Sequence, residues 1–186
     1  MASFGDKPTI RGDRVVLRPL GPDDTDDLLA LLEDAGTRHL TGTHDIFTRD
    51  EVALWCATRA EQSDRLDFAV TDATDGSWIG ECALNDWNAG HRSCNLRIAL
   101  VPERTGSGLG RETVRLLVDH VFTALPIDRI GVDVYEFNDR ALRMFRSLGF
   151  APEGRLRGHL RTADGDHDVV ILGLLRFEWS FHRAVA

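Results

Sequence analysis

The stretch ERTGSGLGRE, residues 103–112, constrains this chain more than any other. Gly106, Gly108 and Gly110 alternate directly after an apolar run, Leu96 to Val101, and directly before a segment of helical periodicity. Strand, glycine turn and helix start together make an anion site. Glycine lets backbone approach a ligand closely, and the first amides of a helix lack internal partners and carry the positive end of its dipole. A Walker loop would need Lys-Ser/Thr after the last glycine, whereas Arg111-Glu112 follows here. A dinucleotide fingerprint spaces its glycines one and then three apart, near the start of a βαβ unit. Here the spacing is one and one, past the midpoint of the chain. A coenzyme A pyrophosphate loop and a plain flexible turn remain.

The surrounding pattern predicts one α/β domain in the order β-α-α-β-β-β-α-β-α-β-β. Arg14 to Leu20 reads as a strand. A helix starts at Pro22-Asp23-Asp24, with Leu28, Leu29, Leu31 and Leu32 as its stripe. Residues 1–12 read as a loose lead-in and 37–47 as loop. Thr48 and Glu51 form a capping box for a second helix, turning Val52, Trp55 and Cys56 inward. Residues 67–71, 78–85 and 93–101 form an antiparallel meander. A helix over Leu109 to Ala124, a strand over Arg129 to Tyr135 and a helix over Asn138 to Leu148 follow, with Gly149 as left-handed cap. A last strand pair turns at Asp164-Gly165.

Composition excludes several classes. The net charge of −8, from 30 acidic and 22 basic side chains, disfavours nucleic acid; it suits either a cationic partner or plain solubility. No apolar run approaches the ~20 residues of a membrane span, and the first residues lack a signal peptide's basic start and apolar core. Three scattered cysteines, Cys56, Cys82 and Cys94, suggest reduced thiols in a cytoplasm. No metal-ligand spacing occurs, so no metal is expected.

Several pieces in order resemble one superfamily, the Gcn5-related N-acetyltransferases. They are Arg14-Val15-Val16-Leu17-Arg18-Pro19-Leu20, Trp78-Ile79-Gly80-Glu81, Val101-Pro102-Glu103 with the glycine loop, and Asn138-Asp139-Arg140-Ala141 with Phe145 and Leu148-Gly149-Phe150. The tail Glu153-Gly154-Arg155-Leu156-Arg157, then Asp164-Gly165 and His167-Asp168, is similar to the branch of Rim-type ribosomal-protein acetyltransferases. The resemblance spans residues 9–179 and leaves 1–8 and 180–186 as terminal extensions. It implies a mixed, mostly antiparallel sheet splayed in the middle, about four flanking helices, and acetyl-coenzyme A as co-substrate. It also implies homodimers in this branch, sometimes through C-terminal strands; Leu172, Leu174, Phe177 and Trp179 suit such a contact or core packing.

On that resemblance the pantetheine arm pairs with backbone around Ile98, Leu100 and Val101. The pyrophosphate sits on amides of Gly106, Ser107, Gly108, Leu109, Gly110 and Arg111. Arg104 and Arg111 add charge-assisted bonds or face solvent. Asn138 contacts pantetheine or acceptor, caps its helix, or does both. Thr105 replaces the family's usual Arg, Gln or Trp at the loop start. The tyrosine that protonates the leaving thiolate in many members is here Phe145, and the serine of the Rim-type branch is Ala141.

Amide formation from a thioester needs a neutral amine, hence a proton acceptor, and a donor for the oxyanion, expected near Leu100 or Val101. Asp133, within an apolar strand, is the first candidate base; otherwise it pairs with Arg97, Arg129 or Arg140. Glu81 is the second, acting through water, or is an exposed strand residue. Asn95 stands where relatives often carry glutamate. Tyr135 shares the face of Asp133 and is a candidate acid or a packing residue. Cys82 and Cys94 read as buried structural thiols rather than nucleophiles. His39, His44 and His91 fall in loops near where the resemblance implies that the acceptor enters, and Trp87 forms a wall for a cation or packs half-buried. The expected activity is acetyl transfer to a primary amine, either a protein N-terminus or a small molecule. Alternatives are a longer acyl donor such as succinyl, a coenzyme-binding module without turnover, and, more remotely, a nucleotide-dependent enzyme.

Overall fold

A computed structural model describes residues 4–162 and 165–179. Its strands are Ile10–Arg11 (β1), Val15–Pro19 (β2), Leu66–Asp72 (β3), Trp78–Asn88 (β4), Ser93–Leu100 (β5), Arg129–Tyr135 (β6), Ala151–Thr162 (β7) and Gly165–Leu175 (β8). They form one sheet ordered β1-β2-β3-β4-β5-β6-β8-β7. All neighbours pair antiparallel except β5 and β6, which run parallel. The α-helices include Thr25–Glu33 (α1), Ala35–Thr41 (α2), Arg49–Arg59 (α3), Leu109–Ala124 (α4) and Asp139–Ser147 (α5), and residues 176–179 are also helical. Pro22–Asp24 and Pro102–Arg104 are short 3-10 turns.

Alternation along β3 sets the layers. Phe68 and Val70 face the main core with Val114, Leu117, Val118 and Val121 of α4. Ala69, between them, faces a second cluster with Leu28 of α1 and Val52 and Cys56 of α3. Those four α4 residues are fully buried, and each such side chain contributes about 1.5–3 kcal/mol. The helix end at Gly149 adopts the left-handed conformation, φ 92°. The capping box forms as expected: Thr48 Oγ1 accepts the Glu51 N–H, and Glu51 Oε2 accepts the Thr48 N–H at 2.8 Å.

Three local expectations are corrected. Residues 35–41 are helical, not loop, because the Asp34 carboxylate accepts the Thr37 N–H at 2.6 Å and starts α2, which Gly42 ends. Trp55 does not turn inward. It is 41% exposed, and the guanidiniums of Arg59 and Arg65 lie over its ring at 4.0 and 5.1 Å. The lead-in is tied down: Phe4 is buried on Trp87, Lys7 Nζ donates to the Gln62 and Arg65 carbonyls, and β1 pairs with β2. Asp164, residues 1–3 and residues 180–186 lie outside the described residues. No described helix is long and apolar enough to cross a membrane.

Candidate active site

A parting between two half-sheets makes the site. β5 and β6 pair only at Ser93–Arg129, Cys94–Ile130 and Asn95–Gly131. Beyond Asn95, β5 follows β4 as far as Leu100, while β6 follows β8 along its whole length. The result is a slit between diverging strands. The Val101 N–H donates to the Ile79 carbonyl at 3.0 Å. Donor direction alternates along an antiparallel strand, so the Leu100 N–H faces the opposite edge, toward the slit. Of the two amides expected to meet an oxyanion, Val101's is therefore engaged in the sheet and Leu100's is free to serve.

One cavity, of about 460 Å³, runs from Ile98 and Leu100 to the glycine turn and α5. Gly106 (φ 79°) and Gly108 (φ 89°) hold the left-handed backbone that delivers the chain into α4. Among the described residues the N–H groups of Gly106 through Arg111 have no hydrogen-bond partner, whereas the Glu112 N–H already bonds the Gly108 carbonyl at 3.1 Å. A side chain's first carbon at Gly110 would lie 3.4 Å from Leu100 and 3.5 Å from Met144, so glycine keeps this wall thin. The turn is braced from outside: Arg14 donates its N–H to Glu112 at 2.9 Å and its guanidinium to the Ser107 carbonyl at 3.0 Å. Unpaired amides at a helix N-terminus, with Arg111, Arg140 and Arg143 along the same wall, suit a polyphosphate ligand.

A second cavity, of about 320 Å³, opens on the other side of the slit. It shares Leu40, Thr41, Ile98, Ala99, Asn138 and Ala141 with the first. Glu81, Asp133, Tyr135, Arg97, Asp86 and His159 line it. Glu81 stands opposite Ala99 on the face that also carries Arg97. Burial pushes its carboxyl up from the ordinary value; Arg97 opposes that shift, Asp67 adds to it and Arg65 opposes it. Burial likewise pushes the Tyr135 hydroxyl up, with the Asp133 charge adding to the shift. The Tyr135 hydroxyl packs against Gly42, where any side chain would collide with it. Asp86 sits at φ 53°, and its Oδ2 accepts from the amides of Asn85 and Asn95 at 3.2 and 3.1 Å.

The structure brings Asp133, Glu81 and Tyr135 into one cavity, and Ile98, Leu100, Gly106, Gly108, Gly110, Arg111 and Asn138 into the other. Asp133 is exposed and makes none of its expected ion pairs with Arg97, Arg129 or Arg140; Arg129 pairs with Glu153 instead. Arg104 turns away from the slit to Asp72, at 3.2 Å, and Ser77. Arg111 binds Ser147 while lining the cavity. The Leu109 side chain is buried in the core, leaving its amide at the turn, and Ser107 Oγ bonds the Arg104 carbonyl at 2.7 Å. Trp87 stacks on Phe4, with ring centroids 5.0 Å apart, and is half-buried; it lines neither cavity. His39 stacks on Phe137 at 4.4 Å. Cys82 and Cys94 are buried, and burial pushes both thiols up, Cys94 to about 12. Leu172, Leu174 and Trp179 are buried, and Phe177 is 70% exposed. Sequence reasoning missed Leu40, Thr41, Arg97 as a cavity residue, Asp86, His159 and Met144. Only alternation on β5 offered a signal for one of them, since Arg97 falls on the face of Asn95.

Residues 14–151 match the acetyltransferase (GNAT) domain. The chain therefore belongs to the GNAT N-acetyltransferases, in their RimJ/RimL-like branch. It is 23% identical over 171 residues to the SPbeta prophage-derived uncharacterized N-acetyltransferase YokL of Bacillus subtilis, covering 92% of this chain and 95% of that protein. It is 31% identical over 104 residues to the spermidine N(1)-acetyltransferase of Escherichia coli, 52% of this chain and 56% of that one. The fold matches the crystal structure of the spermidine N-acetyltransferase of Vibrio cholerae in complex with CoA and spermine. That match has a TM-score of 0.85 at 24% identity and covers 91% of this chain and 99% of the other.

Proposed function

We propose that residues 9–179 form a transferase domain that moves acetyl from acetyl-coenzyme A to a primary amine by direct attack. In this reading the amides of Gly106 to Arg111 hold the pyrophosphate, and Arg140 and Arg143 add positive charge. The edge of β5 at Ile98 and Leu100 pairs with the pantetheine arm. Glu81 accepts the ammonium proton, directly or through one water, and Asp133 holds the incoming cation. As the nitrogen–carbon bond forms and the carbon–sulfur bond breaks, the Leu100 N–H stabilises the oxyanion. Tyr135 returns a proton to the sulfur in place of the absent side chains at Ala141 and Phe145. A raised carboxyl pKa suits a base working near neutral pH. Buried, protonated thiols disfavour a cysteine intermediate.

One observation carries the reading: the cavity with the orphaned amides and the cavity with Glu81 and Asp133 meet along Ile98, Ala99 and Asn138. The test combines calorimetry with coenzyme A and thiol release from acetyl- and succinyl-coenzyme A across an amine panel that includes peptides with free N-termini. Binding with amine-dependent release from acetyl-coenzyme A is expected. Tight binding with no release from any acceptor would leave a coenzyme-binding module instead, and absence of binding would overturn both. A polyamine acceptor is a second reading, favoured by the three carboxylates lining the acceptor cavity and by the spermidine acetyltransferases among the relatives.

A further inference from the structure

The acceptor cavity holds a cation as well as carboxylates. Arg97 is exposed and lines that cavity. It stands opposite Ala83 in the β4–β5 register, while Glu81 stands opposite Ala99. The two charged residues are therefore diagonal neighbours on one sheet face, with backbones about 7–8 Å apart. The small side chains of Ala83 and Ala99 leave the ground between them open.

Several arginines that have a carboxylate within reach are matched to it: Arg18 with Asp24, Arg65 with Asp67, Arg129 with Glu153, Arg155 with Glu136 and Asp168. Among the described residues Arg97 makes no hydrogen bond and no ion pair, although Glu81, Asp86 and Asp133 line the same cavity. Asp86 points one oxygen, Oδ2, at the amides of Asn85 and Asn95 rather than at Arg97. His159, from β7, is the other group in the cavity that can carry positive charge. A guanidinium directs planar, paired donors that match a carboxylate or phosphate edge.

Resting on the acetyl-transfer reading, we propose that Arg97 binds an anionic group of the acceptor. The acceptor is then a small zwitterion of the amino-acid kind, with its amine toward Glu81 and its carboxylate or phosphate on Arg97. A plain polyamine supplies no such group and sets a second ammonium against the guanidinium, a like-charge contact that selects against it.

Matched acceptors test this: lysine against cadaverine, methionine against 3-methylthiopropylamine, and phosphoethanolamine against ethanolamine, with spermidine alongside. In the wild type the member bearing the anion should have the higher kcat/KM, by roughly 10- to 100-fold for a charge-assisted contact. The carboxylate and phosphate pairs tell which anion is read. Arg97→Gln should erase the ratio by lowering kcat/KM for the anionic member far more than for its partner, whose smaller change reports the loss of the Arg97 charge near Glu81, and Arg97→Lys should restore part of the ratio. Arg97 is unpaired, so neither variant threatens the fold, and unchanged coenzyme A affinity confirms that. Equal or better turnover of cadaverine or spermidine overturns the proposal. If no acceptor turns over, the transfer reading has failed. Titration of the same pairs into protein loaded with coenzyme A then decides: binding of the anionic members that Arg97→Gln abolishes supports the site, and its absence overturns it.

Discussion

The side-chain oxygen of Asn138 accepts the Ala141 N–H at 3.1 Å, so the residue that starts α5 is held in one orientation at the junction of the two cavities. The bond ties local helix stability to the ligand-facing surface, because capping engages the oxygen and turns the amide nitrogen toward the slit. The two roles separate by substitution. Asn138→Ala should lose about 1 kcal/mol in urea unfolding, the usual worth of such a cap. Asn138→Asp, which keeps a capping oxygen, should unfold like the wild type. Both should raise the KM for acetyl-coenzyme A, since both remove the amide donor. Equal stability of all three proteins would show that the cap contributes nothing.

Gly108→Ala should weaken coenzyme A binding by calorimetry as well as destabilise the fold. The residue holds φ 89° at the start of α4, a backbone that costs a side-chain-bearing residue about 1–2 kcal/mol. Relieving that strain moves the orphaned amides. Gly76→Ala is the control: it has φ 74° in the β3–β4 turn with open space around it. It should lose similar stability with coenzyme affinity intact.

The pH dependence of Glu81 has a definite sign. Its folded pKa lies above the ordinary carboxyl value because burial disfavours the charge. kcat/KM should therefore fall as pH drops, with a midpoint above the unperturbed glutamate value of about 4.3. Stability runs the other way. The contribution of the neutral carboxyl is fully present below the unfolded pKa and is lost as pH rises through the raised folded one. Glu81→Gln should be more stable than the wild type at pH 7, with the difference vanishing at acid pH, while its turnover drops. A variant less stable at pH 7 would mean that the charge is well solvated.

Arg104 and Arg143 should behave oppositely. Arg104 faces Asp72 outside the slit, whereas Arg143 lines the cofactor cavity with no acidic partner among the described residues. Arg143→Ala should raise the coenzyme KM, most at low salt, where charge contacts are least screened. Arg104→Ala should leave that KM unchanged and cost under about 1 kcal/mol of stability, as for a partly exposed pair. The reverse pattern in steady-state kinetics would reassign the anion contact.

Much of this architecture is legible in the chain because its signals are local. The α4 and β6 boundaries, Leu109–Ala124 and Arg129–Tyr135, match the periodicity, and the Thr48–Glu51 box and Gly149 cap are set by side chains within a few residues. α2 was invisible for the converse reason. Its stretch AGTRHLT has a glycine and no apolar stripe; the Asp34 cap and packing of Leu40 and Thr41 beside the slit make it a helix. Trp55 has helical spacing that fits either face; outside, it meets Arg59 one turn on in α3 and Arg65, which the fold brings in from just before β3.

From its residues alone, this chain specifies an α/β acetyltransferase fold with a glycine turn that leaves helix amides unpaired, because glycine conformation and hydrophobic period act over a few neighbouring positions. Tertiary structure decides which charges meet. It turns Arg104 away and leaves Arg97 open beside Glu81. It engages the Val101 N–H while leaving that of Leu100 free, and it parts β5 from β6 after Asn95. Those outcomes depend on strand register and on partners far along the chain, and no local pattern encodes the direction of a side chain across a sheet that long-range pairing must first assemble.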